Sequence, residues 1–265
     1  MGSNDIILNN LLCSCADSKQ RGNEQYTSAH SLGFIVSGEV RFETAEGMHV
    51  CKAGTTGLVR RNQLVKSLKV PPPGGQFLAL NILFDRETLQ QYSIQNNIEP
   101  SDRYTGNPIA LMEPDPFISS FFESLLPYFD QPEYLTTSLS ELKTREAIEL
   151  LLKNDPQWKD FLFDFSEPYK IDLEQFMQQH FHFNVSPSHF AQLTGRSLAS
   201  FKRDFGKVFD APPGKWLQQR RLEEAHSLIS KGNKPSDVYL EVGFENFSHF
   251  SYSFKKQYGV SPSRL

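Results

Sequence analysis

The sequence predicts an α+β chain of two domains. A strand-rich small sandwich or barrel with trailing helices comes first. An all-α domain follows, in which two helix-turn-helix units are joined by a long helix. Three observations predict this. Residues 31–84 alternate apolar and polar side chains between short breaks, helical spacing takes over from Asp85, and one helix–glycine turn–helix grammar occurs twice near the end, with Gly195 and Gly243 standing 48 positions apart. A length of 265 residues accommodates one or two domains. The expected boundaries are 1–165 and 166–265, with strands over about 25–85 and helices over about 86–153.

The strands come first. SLGFIVSGEVRFETAEGMHV alternates and breaks at Ser37-Gly38 and at Glu46-Gly47, as a hairpin series does. Shorter runs follow at Thr56–Val59, Leu64–Val70 and Phe77–Phe84, separated by Gly54 and the PPPGG stretch at 71–75. Strands at this spacing suit a small sandwich or barrel, whose interior is either a ligand pocket or a side-chain-filled core.

The spacing predicts a helix over 86–96, and another starting at Asp115-Pro116 with Phe117, Phe121, Phe122 and Leu125 on one face. A third, over 137–153, carries Leu139, Leu142, Ile148, Leu151 and Leu152. Such stripes are packing or dimerisation surfaces. Residues 154–170, an aromatic patch bounded by Pro156 and Pro168, read as a boundary region.

Composition excludes several classes. With 38% hydrophobic residues and 22 phenylalanines, the chain has the apolar content that disordered chains lack. Its longest apolar stretch, Phe77 to Phe84, is interrupted by Asn81 and falls far short of the roughly 20 residues of a membrane helix. MGSNDIILNN has no basic region ahead of its apolar cluster, so no secretory signal and a cytoplasmic location are expected. Cys13, Cys15 and Cys51 cannot form a complete disulfide set, and as metal ligands they lack an obvious fourth leg. Neither metal nor cofactor is expected. The net charge of −4 hides an asymmetry. Residues 100–170 hold six basic against thirteen acidic side chains, whereas 171–265 hold twelve against nine. A basic end beside an acidic middle is compatible with nucleic-acid binding at the C-terminus.

That end has readable caps. Asp172 precedes Leu173, Phe176, Met177 and Phe181, with Gln175 as its capping-box partner. Ser186-Pro187 opens a short helix that ends at Thr194-Gly195, and Ser197 caps the next, which carries Leu198, Phe201, Phe205 and Val208. The grammar recurs with Val238, Val242 and Gly243, then Asn246 capping a helix with Phe247, Phe250, Phe254 and Tyr258. Each unit closes on a proline, at Pro213 and Pro262, and residues 213–230 read as the long joining helix.

GRSLASFKRDFGKVFDAPPGKWLQQRRLEEA from Gly195, followed by EVGFENFSHFSYSFKKQYGVSPSRL from Glu241, resembles the tandem helix-turn-helix domain of AraC/XylS-type transcription regulators over about 95 residues. The N-terminal part resembles, more loosely, the cupin-like regulatory domains attached to such proteins, including the ExsA-like subgroup. The resemblance implies a cupin-like β-barrel and a sequence-specific, DNA-binding regulator of transcription, an activator. Its implied partners are double-stranded DNA, RNA polymerase, an effector that is a small molecule or a protein, and a second copy of the chain. Three positions depart from the family pattern. Tyr239 stands where a small residue is usual, which implies altered packing, and Tyr252 stands where a basic one is usual. Asp210 replaces a common glycine, and Asp enters the left-handed region more readily than most residues.

A recognition helix buries one stripe and offers the opposite face to the major groove. With Leu198, Phe201 and Phe205 buried, Ala199, Ser200, Lys202, Arg203 and Lys207 are left for DNA. Arg203 is suited to a bidentate contact with guanine. Arg196 and the amides at Ser197 stand at a helix N-terminus, where phosphate is favoured. In the second unit Ser248, Ser251 and Tyr252 face outward, with Asn246, His249, Lys255 and Lys256 near the backbone. Phe247 either contacts a thymine methyl or joins the core. The first unit should therefore dominate base reading.

The competing class is a cupin-type small-molecule-binding protein or enzyme whose helical domain serves packing or protein interaction. Metal-dependent cupins cluster His/His/Glu, yet His30 and His49 stand apart without an H-x-H. The sequence contains no G-x-S-x-G, P-loop or GxGxxG, and three cysteines do not suit a zinc-bound, alkyl-transferring regulator.

Overall fold

The computed structural model describes residues 5–21, 25–44, 47–100, 103–166 and 169–265. The expected break at Glu46 and the boundary proline Pro168 lie outside the described residues. The chain divides into two units, Met1–Ser166 and Glu167–Leu265.

In chain order the first unit has strands β1 (Ile6–Leu8), β2 (Leu11–Ala16), β3 (Gln20–Arg21), β4 (Gln25–Thr27), β5 (His30–Ser37), β6 (Glu39–Thr44), β7 (Gly47–Lys52), β8 (Thr56–Val59), β9 (Gln63–Val70) and β10 (Phe77–Phe84). Helix α1 (Arg86–Gln95), strand β11 (Ile109–Met112) and helices α2 (Pro116–Glu123), α3 (Leu126–Asp130), α4 (Thr137–Asn154) and α5 (Trp158–Phe163) complete it. One sheet has the order β1-β2-β10-β5-β8-β11; the other runs β3-β9-β6-β7, with β4 also paired to β9.

Alternation along β10 explains the layering. Phe77 and Ala79 point to one side, where with Ala16, Ile35, Val40 and Cys51 they fill the space between the two sheets. Leu80, Ile82 and Phe84 point to the other side and meet the helices through Phe121, Phe122, Ile148, Leu151 and Phe163. Gly33 and Gly57 pair across β5 and β8. Together with Asn81, Phe42 and Cys51 they line a cavity of about 40 Å³, which offers room for a water molecule.

Several elements differ from the expectation. Strands begin at Ile6, well before Ser31, because β2 is covered on both faces and so LLCSCA shows no alternation. Strand β11 lies within the stretch assigned to helices. On α2 the buried residues are Ile118, Phe121 and Phe122, while Phe117 is 70% exposed. The Asp115 carboxylate caps the amides of Phe117 and Ile118 and so fixes which residue of the first turn faces inward.

On α4, Leu142 is 60% exposed, and Ser140, Thr144, Ala147, Ile148 and Leu151 are buried. The two hydroxyls face inward because Asn10, in the β1–β2 turn, meets them. Its Nδ2 donates to Thr144 Oγ1 at 2.6 Å and its Oδ1 accepts from Ser140.

The aromatic patch at 158–163 is core, with Trp158, Phe161, Leu162 and Phe163 all buried. Beyond it the chain is held by arginines. Arg60 pairs with the Asp164 carboxylate, Arg61 donates to the Asp164 carbonyl at 3.0 Å, and Arg86 donates to the Phe165 carbonyl at 3.1 Å. Burial pushes the Asp164 carboxyl up, but hydrogen bonds from Ser166 and the Arg60 guanidinium outweigh it and hold the group below its ordinary range.

The cysteines do not converge. Cys13 and Cys15 have their sulfurs 3.5 Å apart on β2. Cys13 belongs to the helix-facing cluster and Cys51 to the one between the sheets. Burial and the adjoining Cys15 push the Cys13 thiol up to about 12.

The second unit is helical: α6 (Leu173–His180), α7 (Pro187–Leu193), α8 (Leu198–Phe209), α9 (Pro213–Ser230), α10 (Pro235–Glu241) and α11 (Phe247–Tyr258), closed by a 3-10 turn at Pro262–Arg264. Among the described residues no helix is long and apolar enough to cross a membrane.

Candidate nucleic-acid interface

Helices α8 and α11 are built alike. Ser197 accepts from the Ser200 amide at 3.2 Å and Asn246 from the His249 amide at 3.0 Å. The side-chain oxygen in each case satisfies one of the amides that a helix N-terminus leaves open. Each helix then buries a Phe pair four residues apart, Phe201 with Phe205 and Phe250 with Phe254. Each ends on a left-handed residue, Asp210 at φ 49° and Gly259 at φ 77°. Asp210 thus adopts the left-handed conformation, which Asp enters more readily than most residues.

The turns before these helices need glycine for two reasons. Gly195 has φ +65° and Gly243 has φ +95°, and each lies against a backbone carbonyl, of Tyr169 and His182 respectively. A Cβ at either position would collide with that oxygen.

The buried stripe of α8 is narrower than expected. Leu198 and Val208 are exposed, because the helix turns inward the side that carries Phe201, Phe205 and Phe209, whose rings continue to Trp216. Ala199, Lys202, Arg203 and Lys207 are exposed and Ser200 is half-buried. Arg203 has 65% of its side chain in solvent, and Nη2 donates to Ser200 Oγ at 3.1 Å.

Arg196 departs from its assignment. Its side chain is only 8% exposed. Nη1 donates to the carbonyls of Ile171 (3.0 Å) and Thr194 (2.7 Å), and Nε lies 3.3 Å from Asp204. This guanidinium fastens the first turn to the segment before α6, so it is not available to a phosphate. Asp204 also meets Lys170 at 3.4 Å and Arg203 at 3.4 Å. Partial desolvation pushes its carboxyl up, and these cations, Lys170 foremost, more than offset it.

On α11, Asn246, Ser248, His249, Tyr252, Lys255 and Lys256 are exposed and Ser251 is half-buried. Phe247 joins the edge of the core. It is 39% exposed, yet its ring stands edge-on to Tyr239 at 5.3 Å and near Phe250 at 6.0 Å. Tyr239 packs against Phe247 and Phe250 in the second unit.

Two family models match the chain. One, a helix-turn-helix domain, covers residues 190–265. The other, the ExsA N-terminal regulatory domain, covers 30–162, which is half of the chain. The chain belongs to the AraC-type transcription regulators with an ExsA-like N-terminal domain.

Relatives of this AraC-type regulator include the regulator ExsA of Pseudomonas aeruginosa, 24% identical over 93% of this chain and 94% of its own length. The virulence regulon transcriptional activator VirF of Yersinia enterocolitica and the thermoregulatory protein LcrF of Yersinia pestis are each 28% identical over 62% of this chain. The chain spans 61% of the length of those two. Apo ToxT from Vibrio cholerae is similar over 97% of this chain and 96% of its own, at 13% identity and a TM-score of 0.49. The family is one of transcription regulators, and the cupin-enzyme reading is set aside on that ground. The helix-turn-helix match assigns DNA binding to the 190–265 region of this regulator.

One residue of consequence escaped the sequence reading. Arg221 of α9 is half-buried and reaches backbone on both sides of its helix. It stands beside Arg220, which lies over the Phe181 ring at 4.5 Å, and nothing in QQRRLEE separates the two.

Proposed function

We propose that this regulator is a sequence-specific activator, acting in the cytoplasm, that lays α8 and α11 into successive major grooves of duplex DNA about 34 Å apart. Arg203 and Lys202 dominate base reading, helped by Ala199 and Ser200, while the Ser197 amide meets phosphate. On α11, Ser248, Ser251, Tyr252 and Phe247 meet bases, and Asn246, His249 and Lys255 meet the backbone. The observation that carries this reading is the paired construction of α8 and α11: a capped helix, a buried Phe pair, and an opposite face of exposed polar and basic side chains. Activation draws its support from relatives named as activators, and implies RNA polymerase as a partner.

Binding to sites selected from random DNA tests it. Arg203→Ala should cost about 1–3 kcal/mol and relax preference at one base position. Lys255→Ala should weaken all sequences alike and lower the salt slope by about one. A greater loss of specificity from Tyr252→Phe than from Arg203→Ala would reverse the assignment.

The 1–166 unit supplies control, answering to a small molecule or a protein, and joins two copies of the chain. Exposed apolar side chains such as Phe117 and Leu142 support the second role. Light scattering of the full chain should give twice the chain mass, and Phe117→Ser with Leu142→Ser should return it to the monomer value. A monomeric wild-type chain at assay concentration would count against dimerisation.

A further inference from the structure

One side chain bonds to both helix-turn-helix units. Arg221 lies in the middle of α9, the helix that joins them. Its Nε donates to the Phe181 carbonyl at 2.8 Å and Nη2 to the Phe183 carbonyl at 2.7 Å. Nη1 donates to the Gly243 carbonyl at 2.9 Å and lies 3.5 Å from Asn184 Oδ1. Residues 181–184 lie in the connection between α6 and α7, whereas Gly243 lies in the turn between α10 and α11. One planar fork therefore holds backbone from both units at once. Charge-assisted bonds to fixed carbonyls are both strong and directional.

Gly243 makes the approach close. A Cβ there would stand 2.5 Å from the His182 carbonyl and 3.0 Å from Arg221 Nε. So the turn of the second unit lies directly on the connection within the first, and the guanidinium bonds to both. Arg220, one residue earlier, lies over the Phe181 ring at 4.5 Å and pairs with Glu224 at 3.4 Å.

Two recognition helices on one duplex make the stiffness of this joint functional. Inserting one base pair between the half-sites displaces the second by about 3.4 Å and rotates it by about 34°. Helices held in a fixed relation cannot follow that displacement, so the second engagement is lost along with its effective concentration. Helices on a loose joint can follow it.

We infer that Arg221 is a positioning residue that fixes the relation between α8 and α11 and so sets the half-site spacing the protein accepts. This rests on the proposed reading that both helices enter DNA.

The test uses full-length protein, a site selected from random DNA by the wild type, and versions with one or two base pairs inserted or deleted between the footprinted half-sites. For the wild type, each altered spacing should weaken binding on the order of tenfold, as loss of a tethered second engagement requires. Arg221→Ala and Arg221→Lys should bring native and altered spacings within about threefold of each other, since a lysine ammonium is a point charge that cannot span three carbonyls. A merely stabilising role would lower affinity for every spacing equally and leave the ratio unchanged. An unchanged ratio in both variants, beside a wild-type footprint over two half-sites, overturns the joint alone. A wild-type footprint confined to one half-site overturns the two-helix reading and the joint with it. If neither variant folds by circular dichroism at the assay temperature, Arg221 belongs to stability and the inference fails.

Discussion

Gly195→Ala is expected to destabilise the 167–265 unit by about 3 kcal/mol, from left-handed strain of roughly 1–2 kcal/mol plus displacement of a packed backbone. The same replacement at Gly206, on the same turn-and-helix element, is expected to stabilise it by about 0.5–1 kcal/mol. Local geometry gives the two substitutions opposite signs. Gly195 has φ +65°, and its Cβ would fall inside contact distance of the Tyr169 carbonyl. The obstacle is backbone, pinned nearby by the bond from Arg196 to the Ile171 carbonyl, so it cannot swing aside. Gly206 lies within α8, where an added Cβ meets no heavy atom within 4 Å, and alanine there only removes unfolded-chain freedom. At roughly 4–8 °C per kcal/mol for a domain of this size, melting of the unit should fall by about 12–24 °C in the first variant and rise by a few degrees in the second. Trp216, which packs on Phe205 and Phe209, reports this unit's transition in a Trp158→Phe background. A Gly195→Ala protein melting within a few degrees of wild type would mean that the segment entering α6 gives way, and the account of the turn would be wrong.

What the sequence displayed and what it concealed follow from how local each signal is. The caps at Ser197 and Asn246, the Phe pairs and the glycine turns involve neighbours within one or two turns of chain, and all stand as read. Strand β10 matches residue for residue because it is a short apolar run bounded by the PPPGG stretch and Asp85. Strand β2 is covered on both sides, so its letters carry no period. On α2 and α4 the helices were legible but their orientation was not. Phe117 and Ile118 fit the same spacing equally well, and the hydroxyls of Ser140 and Thr144 turn inward only because Asn10 is there to meet them. The arginines show the limit most plainly. Arg196, Arg203 and Arg221 share one chemistry, but one fastens a turn, one projects into solvent and one joins two units. Burial against partners far along the chain decides which is which. His30 is concealed for the same reason: its place in the sequence suggests a metal ligand at most, and in the fold it is core.

His30 should make the 1–166 unit lose about 2 kcal/mol between pH 6.5 and pH 4.5, since the slope reaches roughly 1.36 kcal/mol per unit of pH only below the unfolded pKa. The residue opens β5 with 1% of its surface exposed and its ring 5.2 Å from that of Phe161. Burial, then the Arg61 and Arg60 guanidinium groups, push its pKa from 6.5 down to about 3; Asp164 opposes them without prevailing. The Arg61 amide donates to its Nδ1 at 3.4 Å, an arrangement that only the neutral ring can accept. The direction of the pH dependence follows. Between about 3 and 6.5 the unfolded chain binds a proton that the folded chain refuses, so stability rises with pH through that window. The contribution is complete above 6.5 and is lost steadily as the solution is acidified. Asp5 and Asp164 have pKa values held below the ordinary 3.8, so their own contributions are lost mainly below about 3.8, under the interval from pH 6.5 to pH 4.5. Urea unfolding of the full chain in a Trp216→Phe background lets Trp158, buried against Phe161, report this unit. His30→Asn keeps an acceptor for the Arg61 amide but does not titrate. The difference between wild type and His30→Asn, measured at pH 6.5 and at pH 4.5, cancels every group common to both. It should shift by about 2 kcal/mol in favour of the variant at the lower pH. Equal losses in the two proteins would show that His30 takes up its proton in the folded state, and that this corner of the core admits charge.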